Sequence, residues 1–279
     1  MPSLVHETVV DGLEALIADS IDRAAGRRWR GRYPSRHFEK TKAELGKVWK
    51  GRSGVVDLID SEGERTRREP DGTFYHPAQP SLPTLVLEVA YSQSQPALSR
   101  LAERYLLDSG GGIRCVVGLD LPFPLQVPSN SSSDATATLS IWRLSSPGSI
   151  SRIDHSFPFH DPDASAFVSP IRLSATDVLP ASALPKCAFS AVEMNIPILI
   201  PISSLAAIVQ SAANRAHELA ASPQRLVASS PPTAFRKRST VGCVREVKRE
   251  KRSPAQRRMT DFCRVGKGLR EVKVKGWVK

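Results

Sequence analysis

The stretch from Leu85 to Leu119 constrains the fold more than any other part of the chain. Leu85 to Tyr91 (LVLEVAY) is an apolar run of strand length. Gln95-Pro96 then opens a segment in which Leu98, Leu101, Ala102, Tyr105 and Leu106 mark one helical face, and Gly110 to Gly112 ends it. Ile113 to Leu119 is again apolar and β-branched. Strand, helix, glycine stop and strand make a β-α-β unit, whose two strands run parallel with a right-handed crossover. One residue does not belong there on packing grounds: Glu88 stands in the middle of the first run. A carboxylate in a buried strand is costly unless it is paired, hydrogen-bonded or bound to a metal.

The flanking sequence supplies further elements. Val9, Leu13, Leu16, Ile17 and Ile21 recur at helical spacing, with Asp11, Glu14, Asp19 and Asp22 off that stripe, so residues 5 to 25 should form an amphipathic helix. Arg27 to Lys50 is basic, with Trp29, Tyr33, Phe38 and Trp49 interleaved, and carries no clear periodicity. Val55 to Ile59 reads as a short strand, SEGERTRREPDG as a polar turn centred on Pro70-Asp71-Gly72, and Thr73 to His76 as a brief strand. After a Pro- and Ser-rich loop, Thr136 to Leu144 alternates as a half-buried strand that Ser149 to Asp154 would pair with. Short strands near Val168 to Leu173 and Ile196 to Ile200 precede a helix over 202 to 221, capped by Ser203 or Ser204. Beyond Ser222 the composition turns to Ser, Pro, Arg and Lys, which cannot bury enough apolar surface to fold alone. The division is therefore an α/β domain over 5–145, a β-rich and helical extension over 146–221, and a disordered or weakly ordered basic tail over 222–279.

The formal net charge of +11 is misleading as a sum. Phe235 to Lys279 carries 16 Lys or Arg against 4 Asp or Glu, and the rest of the chain 23 against 24, so all the net basic character lies in the tail. Its runs, with Arg236, Lys237, Arg238, Lys248, Arg249, Lys251 and Arg252, are of the kind that binds phosphate backbones by counterion release or serves as a nuclear address. Cys115, Cys187, Cys243 and Cys263 have neither metal-ligand nor disulfide-framework spacing, which suits a reducing compartment. The acidic N-terminal segment does not read as a signal peptide, and Ile196 to Val209 is too short and too broken by proline to cross a bilayer. An intracellular, soluble chain is the expectation. The six histidines show no metal-ligand pairing, His155, His160 and Asp161 in HSFPFHDPD being a plain loop, and Ser92 and Ser94 lie outside any nucleophile elbow. The Arg-rich segment 27–36 suits a solvated face better than a nucleic-acid platform.

The order helix, strand, polar turn with Pro70-Asp71, strand with central Glu88, helix, strand resembles the restriction-endonuclease-like, or PD-(D/E)xK, superfamily. The wording PTLVLEVAYSQS, LSRLAERYLLDSGGGIRCVVGLDL and TLSIWR is similar to uncharacterised fungal members and to a bacterial putative-endonuclease group, over about residues 50 to 145. The resemblance implies an α-β-β-β-α-β core with a mixed sheet, and Mg²⁺-dependent phosphodiester hydrolysis of DNA. Asp71 and Glu88 would be the metal ligands, joined by the Val89 carbonyl and by Glu14 or Glu7 of the first helix. Mg²⁺ is a hard cation held by one or two carboxylates together with water and substrate phosphate.

The sequence departs from the motif two residues after the Glu, where Lys is wanted and Ala90 stands. In related groups the cation migrates to the following helix, which makes Arg100 the first replacement and Arg104 the second, with Gln93 positioning water. An Arg holds charge but cannot act as a base. The competing reading is a degenerate or non-catalytic binding or scaffold protein, in which Glu88 pairs with Arg100 to lock strand to helix. In that reading Asp71 merely bonds its own backbone in a Pro-Asp-Gly turn.

Overall fold

A computed structural model of the chain describes residues 4–26, 36–51, 54–60, 62–91, 95–122, 136–146, 148–159, 169–184 and 196–221. The expected first helix is present as α1 (Leu4–Gly26). The basic region that follows contains two elements without a sequence forecast, α2 (Arg36–Leu45) and β1 (Trp49–Gly51). Next come β2 (Val56–Ile59), β3 (Arg65–Arg68), β4 (Gly72–Tyr75) and β5 (Leu85–Ala90). Helix α3 (Gln95–Asp108) crosses to β6 (Cys115–Asp120), followed by β7 (Thr136–Ser146) and β8 (Ser149–Pro158). The chain continues through β9 (Ile171–Ser174), the short α4 (Ala175–Val178), β10 (Pro197–Ile200) and α5 (Ile202–Ala221).

The architecture is α/β. Six strands form one mixed sheet in the order β1-β4-β5-β6-β7-β8. Only β5 and β6, the pair joined by α3, run parallel, and every other neighbouring pair in that sheet is antiparallel. Both faces of the centre are covered, which is why LVLEVA reads as an unbroken apolar run rather than an alternation: all six of its residues are buried. Side chains of a strand alternate between faces, so Leu85, Leu87 and Val89 lie on the α1 side, while Val86 and Ala90 lie on the side of α3 and β2. Glu88 belongs to the second set and faces α3.

The first face is the larger core. Val9, Leu13, Ile17 and Ile21 of α1 pack there with Leu205, Ala206 and Val209 of α5 and with Ile171, Leu173, Ile198 and Ile200 of the β9–β10 pair. Elements β9, α4, β10 and α5 therefore share one core with α1 and the main sheet. The second face is built from Leu98, Ala102, Tyr105 and Leu106 of α3, roofed by Val56 and Leu58 of β2.

Two expectations need correction. SEGERTRRE is not simply a turn: Arg65–Arg68 is a strand paired with β2, closed by Asp60, whose Oδ1 accepts the N–H groups of Glu62 and Glu64 at 2.9 Å each. Gly63, with φ of 85°, makes that reversal possible. The cap of α5 is also misplaced, because Ser203 and Ser204 lie inside its first turn and the Pro201 carbonyl accepts the Leu205 N–H at 3.2 Å. Among the described residues no helix is long and apolar enough to cross a membrane. The basic tail residues 236–238, 248, 249, 251 and 252 lie outside the described residues, as do Gln93 and the His160-Asp161 segment.

Candidate functional site: an acidic cleft where strand β4 ends

The site arises from a mismatch in strand length. Strand β4 pairs with β5 from Phe74↔Leu85 to Gly72↔Leu87 and begins there, so the next residues of β5 have no strand beside them on that side. Backbone polar groups left in such a position need partners. Side chains provide them: the Val89 N–H donates to Asp71 Oδ2 at 2.7 Å, and His6 Nε2 lies 3.1 Å from the Val89 carbonyl and 3.2 Å from Asp71 Oδ2. Asp71 therefore does not close a turn on its own backbone. It bridges to the central strand, at the end of the three-residue link Glu69-Pro70-Asp71 between β3 and β4.

On the α3 side, Glu88 is 9 % exposed and accepts a hydrogen bond from the Tyr105 hydroxyl at 2.8 Å. Burial and then the negative charge of Asp71 push its pKa up to about 8; the Tyr105 hydrogen bond and the charges of His6 and Arg68 act the other way. Burial, reinforced by Glu88, likewise holds the Tyr105 phenol protonated. The hydrogen bond to Asp71 is the main reason that His6 is drawn above its ordinary value. The two carboxylates thus repel each other across a space with too little positive charge to ionise both.

That space is a cleft of about 500 Å³, lined among others by His6, Arg67, Arg68, Asp71, Glu88 and Tyr105. A second cleft, of about 850 Å³, adjoins it through His6, Glu69 and Asp71 and runs along α1 past Glu7, Asp11, Glu14 and Lys50. Of the residues expected from the sequence, Asp71, Glu88 and Val89 come together in the first cleft. Glu14 and Glu7 line the second, where Glu14 is 3.4 Å from Lys50 Nζ and burial raises its pKa. Arg100 is exposed on α3 and is not among the residues lining the cleft.

The expected Glu88–Arg100 ion pair is replaced by Glu88–Tyr105, and the reason is angular. At 3.6 residues per turn, five positions separate the directions of Arg100 and Tyr105 by about 140°, so a helix that buries Tyr105 cannot aim Arg100 at the same strand. Arg104 is exposed as well. Sequence reasoning did not assign His6, Arg68 or Tyr105 to the site. Tyr105 alone left a usable signal, as the polar-tipped residue on an apolar helix face beside a strand with an orphan carboxylate.

Among the described residues no group of three or more His, Cys, Asp or Glu side chains is arranged to hold a metal ion. What the fold and cleft define is an α/β protein with a mixed six-stranded sheet and a carboxylate pair beside its central parallel strands. Compared with known proteins, the chain matches no protein-family model, no curated protein and no solved structure.

Proposed function

We propose that the chain is a divalent-cation-dependent phosphodiesterase of the restriction-endonuclease-like kind, acting on DNA through the cleft that Asp71 and Glu88 share. The observation that carries this reading is the pair itself. Two carboxylates, one on β5 and one at the end of the link that enters β4, face one cleft, and burial together with their repulsion drives Glu88 up to about 8. Perturbed acids in a cleft are the expected mark of a functional site.

The donor set fits a hard cation. It consists of oxygens, two of its members are carboxylates, and Mg²⁺ commonly takes only one or two of these from protein, leaving the rest to water and phosphate. A positive charge between Asp71 and Glu88 would relieve the repulsion that keeps Glu88 protonated. A bound divalent cation supplies an activated water and neutralises charge on the phosphate. The chain's own residues then orient the site: His6 and the Val89 N–H fix Asp71, and the Tyr105 hydroxyl fixes Glu88. The order α1, β1, β4, β5, α3, β6, once α2 and the β2–β3 hairpin are set aside as insertions, supports the kinship with the PD-(D/E)xK pattern. The basic runs at 236–238 and 248–252 would add phosphate contacts and a nuclear address.

The test is calorimetric titration of the full chain with Mg²⁺ and Mn²⁺, alongside plasmid nicking, in wild type, Glu88→Gln and Asp71→Asn. Cation binding and nicking should both be lost in Glu88→Gln while the protein stays folded. A folded wild type that neither binds cation nor nicks DNA would end the enzyme reading.

A further inference from the structure

The lysine position of the motif is Ala90, which is buried against α3 and β2, yet the cleft has a cation from elsewhere. The β2–β3 register pairs Val56 with Arg68, which turns Arg68 to the same side as the buried Val56 and leaves Arg67 facing outward. Arg67 is tied to Asp57 at 3.1 Å. Both arginines line the cleft, but Arg67 is held by Asp57, and it is the charge of Arg68 that acts on Glu88 and Tyr105.

Its guanidinium makes no hydrogen bond or ion pair among the described residues, and Nε is shielded from solvent. The neighbouring acids are otherwise engaged, Glu88 with Tyr105 and Asp71 with Val89 and His6. The shielded Nε is out of reach from the cleft, but Arg68 as a whole is only half-buried and lines the cleft, so the end of its fork is the part that an incoming acceptor meets. The planar fork of arginine matches the oxygens of a phosphate.

We infer that Arg68 grips an anionic phosphate oxygen of the substrate in this cleft, taking from the end of β3 the role that a lysine at position 90 would have had. The substrate class rests on the phosphodiester reading above; the anion site rests on the geometry of Arg68.

The experiment uses the full chain in EDTA, so that nothing is cut. It is titrated by NMR with a dinucleoside phosphate, whose single charge limits attraction to the basic tail, and with its neutral methylphosphonate analogue. Wild type should prefer the charged ligand by roughly tenfold, a preference of the size expected for a charge-assisted contact. Arg68→Gln should abolish that preference, Arg68→Lys should keep part of it, and Arg100→Ala should leave it intact. Should Arg68→Gln fail to fold, Arg68→Lys decides: a preference undiminished from wild type overturns the inference, as does equal binding of the two ligands by wild type. An Arg68-dependent preference without nicking in Mg²⁺ or Mn²⁺ leaves the anion site standing and removes the nuclease. Nicking with unchanged kcat and KM in Arg68→Gln does the reverse.

Discussion

Glu88 carries an energetic burden that can be read from its surroundings. Its pKa is raised from 4.5 to about 8 in the folded chain, so between those values the native state holds a proton that the unfolded state releases. The contribution of Glu88 to stability is therefore fully present below about pH 4.5, is lost as pH rises towards 8, and changes no further above it. The loss is of the order of a few kcal/mol for a shift of this size. Glu88→Gln removes it: in EDTA the variant should melt well above wild type at pH 8.5 and close to it at pH 5, as thermal scans would reveal. Tyr105→Phe acts in the other direction. It takes away the hydrogen bond that favours the ionised carboxylate, so the Glu88 titration, followed by carboxyl-carbon NMR, should move further upward. At this scale the sequence was informative about Glu88 and Asp71, because a charge inside an apolar run and a Pro-Asp pair stand out against their surroundings. It was silent about Arg68, since nothing in RTRR distinguishes the arginine that faces inward from those that face out until the register with β2 is known.

Among the elements, α3 was legible from its helical period and β5 and β6 from short apolar runs with clean boundaries. Strand β3 and helix α2 were not, since arginine, threonine and lysine side chains cover one face of each and leave no apolar rhythm to detect. The close fit of α3 to the sheet depends on a glycine. Gly118 pairs with Glu88 across the parallel strands, and a Cβ there would lie 2.7 Å from the Trp142 ring and 3.0 Å from Leu98. Both are buried, so neither can give way freely. Gly118→Ala should cost about 1–3 kcal/mol, the usual penalty of overpacking, visible as a lower midpoint in urea at unchanged slope. The displaced Trp142 would also alter the fluorescence of the native state.

The molecule as a whole is closed by its late residues. Helix α5 packs against α1, and Ile202, Leu205 and Val209 are each at most 2 % exposed. At about 1.5–3 kcal/mol for each fully buried aliphatic side chain, those three contribute roughly 5–9 kcal/mol, comparable with the net stability of a typical domain. A chain ending at Pro201 should therefore show no cooperative thermal transition by circular dichroism. The sequence-level boundary near residue 145 follows a change of composition, from the regular β-α-β pattern to Pro- and Ser-rich segments. Composition records what a segment is made of, whereas the core records what it touches, and β10 and α5 touch α1.

The gap left by the short β4 has one more consequence. Almost everywhere in a sheet an amide proton is held by another backbone group and is indifferent to chemistry nearby. The Val89 amide is held by the carboxylate of Asp71. A cation that competes for that carboxylate must loosen its hold on this one proton. Its chemical shift and exchange rate are thus a gauge of occupancy built into the main chain, readable with no label on the site and no turnover.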